Sequence, residues 1–281
     1  MTRCLVVGQP IAHSLSPSLH RAAYAALGLD WSYDAIEVPP GSLRQVLERE
    51  RPHGVSVTMP LKSEAFGLAR AVSPLAAKVG VANTLVARGG AAAEGAGPPP
   101  YDADNTDVAG VVASLAEAGV TSLSGSTVVV VGAGGTAQAV LVAVATLGCA
   151  QVTVVARSVE RARAALSGTA ERAGLHLDIR ELTAHAFGRP DLLVATTPTG
   201  ALDEHAEAAA GARVVFDVLY HPWPTPIIRA ATHRGAVVVG GLSLLVHQAA
   251  RQVELMTGRS PAPVSAMLAA GERALAERTA R

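Results

Sequence analysis

Thr127-Val128-Val129-Val130-Val131-Gly132-Ala133-Gly134-Gly135-Thr136-Ala137 is the stretch that decides how this chain folds. Its run of valines is β-branched and reads as a buried strand. Glycines break the strand, and the alanine-rich stretch Ala137–Leu147 behind them reads as a helix. The string is G-x-G-x-x-A in a strand–turn–helix setting. Gly132 permits the tight turn, Gly134 lets the backbone approach a pyrophosphate, and the small Ala137 allows close helix–strand packing. A helix N-terminus also favours phosphate charge. Gly132, Ala133, Gly134, Gly135, Thr136 and Ala137 are therefore candidate dinucleotide contacts, although a glycine turn without a ligand accounts for the same string. Val128 to Leu147 is uncharged and long enough to cross a bilayer. Glycines placed directly after a strand-like run favour strand, turn and helix instead.

The next strand bears on which dinucleotide. Gln151–Val155 runs into Ala156-Arg157-Ser158, where an NAD site carries an acidic side chain for the ribose 2′-hydroxyl. There is none. Arg157, Ser158 and Arg161 can hold a 2′-phosphate, Arg157 with a guanidinium suited to fork and stack. NADP is the expected cofactor; polar residues that merely open the next helix are the alternative.

Outward from this centre, strand-like runs alternate with helical stretches. Leu5–Val7, Val55–Thr58, Leu192–Ala195, Val214–Val218 and Ala236–Val239 read as strands, and Pro17–Leu27, Leu43–Arg51 and Val159–Ala173 as helices. Continuous apolar strands between helices predict an α/β fold with parallel sheets covered on both faces. At 281 residues the chain suggests two domains of roughly 150 residues each. Arg88–Pro100, rich in glycine and ending in prolines, reads as a turn or surface loop between hairpin strands. The 23 basic residues balance 23 acidic ones, so neither a nucleic-acid partner nor a solvating acidic tail is indicated. Cys4 and Cys149 sit in or beside apolar strand-like runs. They read as small core residues, with a reducing cytoplasm the simplest compartment. Met1–Gly8 lacks a signal-peptide core and reads as a first strand, and no membrane partner is expected.

Positive charge is almost all arginine: only Lys62 and Lys78 are lysine. A guanidinium stays charged at any ordinary pH, whereas an ammonium can be tuned to exchange a proton. Lys62 ends Val55-Ser56-Val57-Thr58-Met59-Pro60-Leu61-Lys62, just past a predicted strand, where catalytic groups of open α/β sheets sit. Lys78 reads as a solvated surface residue. Three polar clusters stand against the apolar background. His13-Ser14-Leu15-Ser16-Pro17 places two hydroxyls near a helix start, suited to a carboxylate or to plain N-capping. Val81-Ala82-Asn83-Thr84 and Asp104-Asn105-Thr106-Asp107 offer turn formers, or donors and acceptors for a polyol.

GQPIAHSLSPSLH, VSVTMPLK, VANTL, DNTD, GAGGTA, ARS, DVLYHPWPTP and GLSLLVHQA, in that order, resemble the shikimate dehydrogenase family over essentially the whole chain. The resemblance implies a small-molecule substrate, shikimate or 3-dehydroshikimate, interconverted with NADP as cofactor and no metal. It matches Ser14 and Ser16 to the substrate-carboxylate serines. Thr58, Asn83, Asp107 and Gln248 match substrate-hydroxyl ligands, Tyr220 a further pocket residue, and Lys62 with Asp107 the catalytic pair, Lys62 also touching substrate. Ala156, Thr196, Val218 and Gly241 join the cofactor contacts. A substrate-binding α/β domain of residues 1–107 plus 241–281 and an NADP-binding Rossmann domain of residues 108–240 are implied, with a cleft between them; a homodimer is compatible. Departures stand at Ser56 and Val194, where the family often has asparagine, at Val108, often glycine, and at Ala156, often asparagine. A paralogue acting on quinate or aminoshikimate, or a non-catalytic dinucleotide sensor on the same fold, are the competing readings.

Overall fold

The structure, a computed structural model, describes residues 2–88 and 99–279. Of the Arg88–Pro100 stretch, residues 89–98 lie outside the described residues. The chain divides into two compact units, Met1–Thr106 with Val246–Arg281, and Asp107–Leu245.

The first unit holds strands β1 (Thr2–Gly8), β2 (Trp31–Glu37), β3 (Gly54–Val57), β4 (Ala71–Val72), β5 (Thr84–Ala87) and β6 (Tyr101–Asp104), in the order β2-β1-β3-β5-β6-β4. β1 is parallel to both β2 and β3, but β5 is antiparallel to β3 and β6. The sheet is therefore mixed: β5 with β6 is the hairpin pair expected on either side of Arg88–Pro100, whereas β5 against β3 departs from the parallel expectation. Burial explains the difference. β3 is buried at every position, as a central strand covered on both faces must be. β6 alternates, with Tyr101 and Ala103 buried and Asp102 turned toward Arg70 and Arg88. A strand with one wet face suits antiparallel pairing. Leu5, Val7, Leu47, Val55, Val57, Leu61 and Leu85 form one core under this sheet. The helix Ser16–Ala26 packs against the helix Val264–Thr279.

The second unit holds β7 (Val128–Val131), β8 (Gln151–Ala156), β9 (His176–Glu181), β10 (Leu192–Ala195), β11 (Val214–Asp217) and β12 (Val237–Gly240). All are parallel, in the order β12-β11-β10-β7-β8-β9. The chain winds outward from β7 to β9, then returns to β10 on the other side of β7. That reversal makes β7/β10 the switch point of the sheet. Val128–Leu147 becomes β7, a turn and the helix Gly135–Thr146. Among the described residues, no helix is long and apolar enough to cross a membrane. Cys4 and Cys149 are both buried, unpaired thiols. Burial pushes the Cys4 thiol up to about 11 and raises Cys149 as well.

On the helix Ser16–Ala26, His20 is fully buried and stacks on Tyr33, with ring centroids 3.9 Å apart. Its Nδ1 stands 3.0 Å from the Ser16 carbonyl and so carries the hydrogen. Burial pulls the imidazole down to about 4, against only partial support from that carbonyl. The folded state thus keeps His20 neutral while the unfolded chain takes up a proton near pH 6.5. This contribution is complete above about pH 6.5 and is lost as pH falls toward 4, a difference of about 3 kcal/mol. Denaturant unfolding of wild type and His20→Gln at pH 7, 5.5 and 4 checks it. The stability gap between the two proteins is expected to shrink as pH falls; a constant gap refutes the assignment.

Candidate active site

In the first unit, the loop after β1 carries Ser14 and Ser16. The helix starts at Ser16 with Pro17 in its first turn. Ser14 Oγ accepts the Ser16 N–H at 3.3 Å, which fixes the loop, and Ser16 is buried. Arg278, from the helix Val264–Thr279, donates to the His13 and Ser14 carbonyls at 2.8 and 3.2 Å. Its guanidinium holds this loop from outside.

The loop after β3 carries Thr58 and Lys62. Thr58 N–H donates to the Val7 carbonyl at 2.9 Å, and its own carbonyl receives Leu61 N–H at 3.0 Å. That tight turn, anchored by fully buried Leu61, starts the helix Lys62–Leu68 with the lysine as its first residue. Lys62 is half-buried. Its carbonyl receives Ala82 N–H at 3.1 Å, and the Asn83 carbonyl receives Val57 N–H at 2.7 Å. Backbone bonds thereby tie the lysine turn to the segment bearing Asn83.

Asn83 is 2% exposed and lies in a dense polar cluster. Its Oδ1 accepts Thr106 N–H at 2.8 Å and the Thr84 hydroxyl at 2.7 Å. Its Nδ2 donates to Thr106 Oγ1 at 2.9 Å and, more weakly, to Gln248 Oε1 at 3.4 Å. Six predicted substrate residues, Ser14, Ser16, Thr58, Lys62, Asn83 and Gln248, therefore belong to the first unit, whereas Asp107 and Tyr220 belong to the second. Asp107 is buried, opens the helix Asp107–Glu117 and follows Thr106 directly in the chain. Tyr220 lies after β11, in a segment tied down by Asp217. Asp217 accepts Leu219 N–H at 3.1 Å and the Thr225 hydroxyl at 2.7 Å, and burial raises its pKa.

In the second unit, the predicted cofactor residues share one edge. Gly132 follows β7, Arg157 follows β8, Thr196 follows β10, Val218 follows β11 and Gly241 follows β12. Each is the first residue past the carboxyl end of its strand, the edge at which open parallel sheets bind ligands. Thr196 Oγ1 donates to the Val131 carbonyl at 2.8 Å, locking β10 to β7 at the switch point. Gly241 has no room for a side chain, because a Cβ would collide with the Val218 carbonyl. Gly134 precedes the helix Gly135–Thr146, which no side chain caps, and Ala137 is fully buried. A Cβ at Gly134 would meet nothing within 4 Å, so the turn is open to an incoming group. Arg157 and Arg161 are exposed beyond β8. Ser158 does what the plain reading expected: its Oγ caps the helix Val159–Ala173 by accepting Arg161 N–H at 3.3 Å. These groups fit a dinucleotide phosphate. A concavity of about 730 Å³ lined by Arg189, Arg213 and Arg234 lies at the opposite edge, where β11 and β12 begin, and takes no part in this site. Among the described residues, no group of three or more His, Cys, Asp or Glu is placed to hold a metal.

The family model described as shikimate dehydrogenase substrate binding domain matches residues 6–85. Those described as shikimate/quinate 5-dehydrogenase and shikimate 5′-dehydrogenase C-terminal domain match residues 114–211 and 241–270. The shikimate dehydrogenase (NADP(+)) of Methanothermobacter thermautotrophicus is 33% identical, over 96% of this chain and 95% of its own. The chain belongs to the shikimate dehydrogenase family. The crystal structure of the Mycobacterium tuberculosis family member superposes with a TM-score of 0.84 at 38% identity, covering 97% of this chain and 100% of that one. The Thermus thermophilus enzyme, solved with NADP(H) and shikimate, gives 0.80 at 33% identity, covering 98% and 100%.

Sequence reading caught Thr84 only as a member of the Val81–Thr84 cluster and overlooked Tyr33, Gln252 and Arg278 as parts of the polar scaffold. One signal was present for Gln252: it stands four residues after Gln248 on the helix Gly241–Thr257, hence on the same face. Gly132 supplies a direct check on the dinucleotide turn. Its φ is +108°, and a Cβ there would stand 2.5 Å from Thr196 Oγ1. Gly132→Ala is expected to lower unfolding free energy by about 2–3 kcal/mol, from positive-φ strain and overpacking together. Denaturant unfolding followed by circular dichroism measures it, and an unchanged midpoint refutes the account of the turn.

Proposed function

We propose that the chain is an NADP-dependent shikimate dehydrogenase, reversibly reducing 3-dehydroshikimate to shikimate, with Lys62 as general acid–base and Asp107 as its partner. The observation that carries the assignment of roles is the position of Lys62. It is the sole lysine at a strand end in an otherwise arginine-dominated chain, half-buried and tied by backbone bonds to the Asn83 segment. The first unit serves as the substrate domain and the second as the dinucleotide domain.

Bound NADPH supplies the hydride; the protein binds, orients and moves the proton. Ser14 and Ser16 hydroxyls receive the substrate carboxylate at the helix start. Thr58, Asn83, Gln248 and Tyr220 hold the ring hydroxyls. As the ketone carbon gains hydride, its oxygen becomes an alkoxide, and the Lys62 ammonium gives it a proton. In the reverse direction the Lys62 amine takes the hydroxyl proton. Asp107 orients the ammonium and binds a hydroxyl. None of these steps calls on a metal. Arg157 and Arg161 would hold the 2′-phosphate of NADP. The buried, unpaired Cys4 and Cys149 suit a reducing cytoplasm.

Purified protein assayed in chelator against shikimate and quinate, with NADP and NAD, tests the reading. Shikimate-dependent NADPH formation is expected. Activity with quinate alone refutes the substrate assignment, and no activity refutes the enzyme. Lys62→Ala is expected to lower turnover about 10²- to 10⁴-fold, the usual effect of losing a positioned general acid–base. Shikimate affinity should fall less. Lys78→Ala, an exposed lysine on the short helix Pro74–Val79, should change little. Retention of more than about a third of turnover by Lys62→Ala, where chemistry limits the rate, removes its assigned role.

Arg157→Ala is expected to raise the KM for NADP about 10- to 150-fold. A hydrogen bond to a charged partner is worth roughly 1.5–3 kcal/mol. NAD, without the 2′-phosphate, should be nearly unaffected, and Arg161 can preserve a residual preference. Equal losses for both cofactors would place Arg157 at the adenine or in the fold rather than at the phosphate.

A further inference from the structure

A row of buried side chains runs behind the substrate residues of the first unit, and its hydrogen bonds have only one consistent direction. Tyr33 OH donates to Ser56 Oγ at 2.5 Å, and Ser56 Oγ donates to Gln252 Oε1 at 2.7 Å. Gln252 Nε2 donates to the Asn83 carbonyl at 3.2 Å and to Thr84 Oγ1 at 3.1 Å. Thr84 Oγ1 then donates to Asn83 Oδ1 at 2.7 Å. Tyr33, Ser56, Gln252, Thr84 and Asn83 are each no more than 4% exposed, so water cannot substitute for a lost partner without cost.

Two backbone groups fix the polarity of the row. The Asn83 carbonyl can only accept, so the Gln252 atom facing it must be the nitrogen. Thr84 Oγ1 accepts from that nitrogen and must turn its own hydrogen to Asn83. At the other end, Thr106 N–H can only donate, and it too points at Asn83 Oδ1, at 2.8 Å. At the far end, burial raises the Tyr33 phenol far above its usual range, which keeps it a donor. Both lone pairs of Asn83 Oδ1 are thus taken by the protein. Its Nδ2 hydrogens also have protein partners, but the one toward Gln248 Oε1 spans 3.4 Å, so a ligand oxygen that replaces this long contact meets a donor, whereas Oδ1 is held by two short bonds.

We propose that Gln252 is a positioning residue for substrate recognition: through Thr84 it fixes which way round the Asn83 amide stands and makes Asn83 a dedicated donor to a substrate hydroxyl oxygen. Ser56 and Tyr33 hold Gln252 in turn. This rests on the reading of Asn83 as a shikimate ligand and adds the device that sets its polarity.

The test compares wild type, Gln252→Met, Thr84→Val, Thr84→Ser, Asn83→Ala and the double variant Asn83→Ala/Gln252→Met. Methionine and valine keep the volume while removing the relay, and serine keeps the hydroxyl. Gln252→Met and Thr84→Val are expected to raise the KM for shikimate about tenfold, the effect of losing one hydrogen bond. Turnover should stay within about threefold and the KM for NADP should not change. Thr84→Ser should behave as wild type. If Gln252 acts through Asn83, the double variant should bind shikimate no worse than Asn83→Ala alone. Multiplying losses in the double variant, a wild-type KM in Gln252→Met, or equal rises for both substrates overturn the proposal. Should Gln252→Met fail to fold, the contrast between Thr84→Val and Thr84→Ser decides: equal KM values overturn it. An active wild type with an unaffected Gln252→Met overturns this proposal alone, whereas a wild type inactive on shikimate overturns the functional reading with it.

Discussion

Parallel strands send their carboxyl ends to one edge of a sheet, and both halves of this protein are organised by that constraint. In the second unit the winding order β12-β11-β10-β7-β8-β9 brings the first residues past five strands to a single rim. In the first unit β1 and β3 run parallel, so the loops that follow them emerge at the same edge. One carries Ser14 and Ser16, the other Thr58 and Lys62. Sites at such edges need no special architecture beyond the sheet. They need loops whose backbone is held, as the Thr58–Leu61 turn and the Thr196–Val131 bond hold theirs.

Burial then raises the stakes for every polar side chain near that edge. An unsatisfied amide inside a protein costs roughly 1–3 kcal/mol, so the cluster around Asn83 persists only because each member has a partner. Asn105 Nδ2 reaches the Val81 carbonyl at 3.0 Å and Ser73 Oγ reaches Asp104 Oδ1 at 2.7 Å, extending the same satisfied shell along the DNTD segment. The segment that looks like a string of turn formers is a scaffold for the Asn83 amide.

How much of this could be read from the chain depended on burial pattern. β7 and β10 are continuous apolar runs, and β8 and β11 are mostly apolar, so their positions are plain in the sequence. β2, β6 and β9 are half-exposed and carry polar residues such as Ser32, Asp102 and Arg180, so no apolar run marks them. The antiparallel pairing of β5 with β6 was legible, because the glycine- and proline-rich stretch between them reads as a hairpin connection; the antiparallel pairing of β5 with β3 was not. In the site, residues in short polar motifs were visible against an apolar background. Tyr33 and Gln252 were not, because one sits in a half-exposed strand and the other on a long helix, where only the finished packing shows what they face. Arg278 was invisible because its contact lies 265 residues away in sequence.

That last contact has a consequence for how the protein is made. The first unit is discontinuous, and the helix Val264–Thr279 that clamps the Ser14 loop emerges from the ribosome after the whole of Asp107–Leu245. The second unit is contiguous and can fold while synthesis continues, since domains fold as units from the amino end onward. The first unit cannot. Its sheet must wait, with part of its apolar surface uncovered, until the closing helices arrive. Nascent chains stalled between these points would carry all of the second unit but only part of the first.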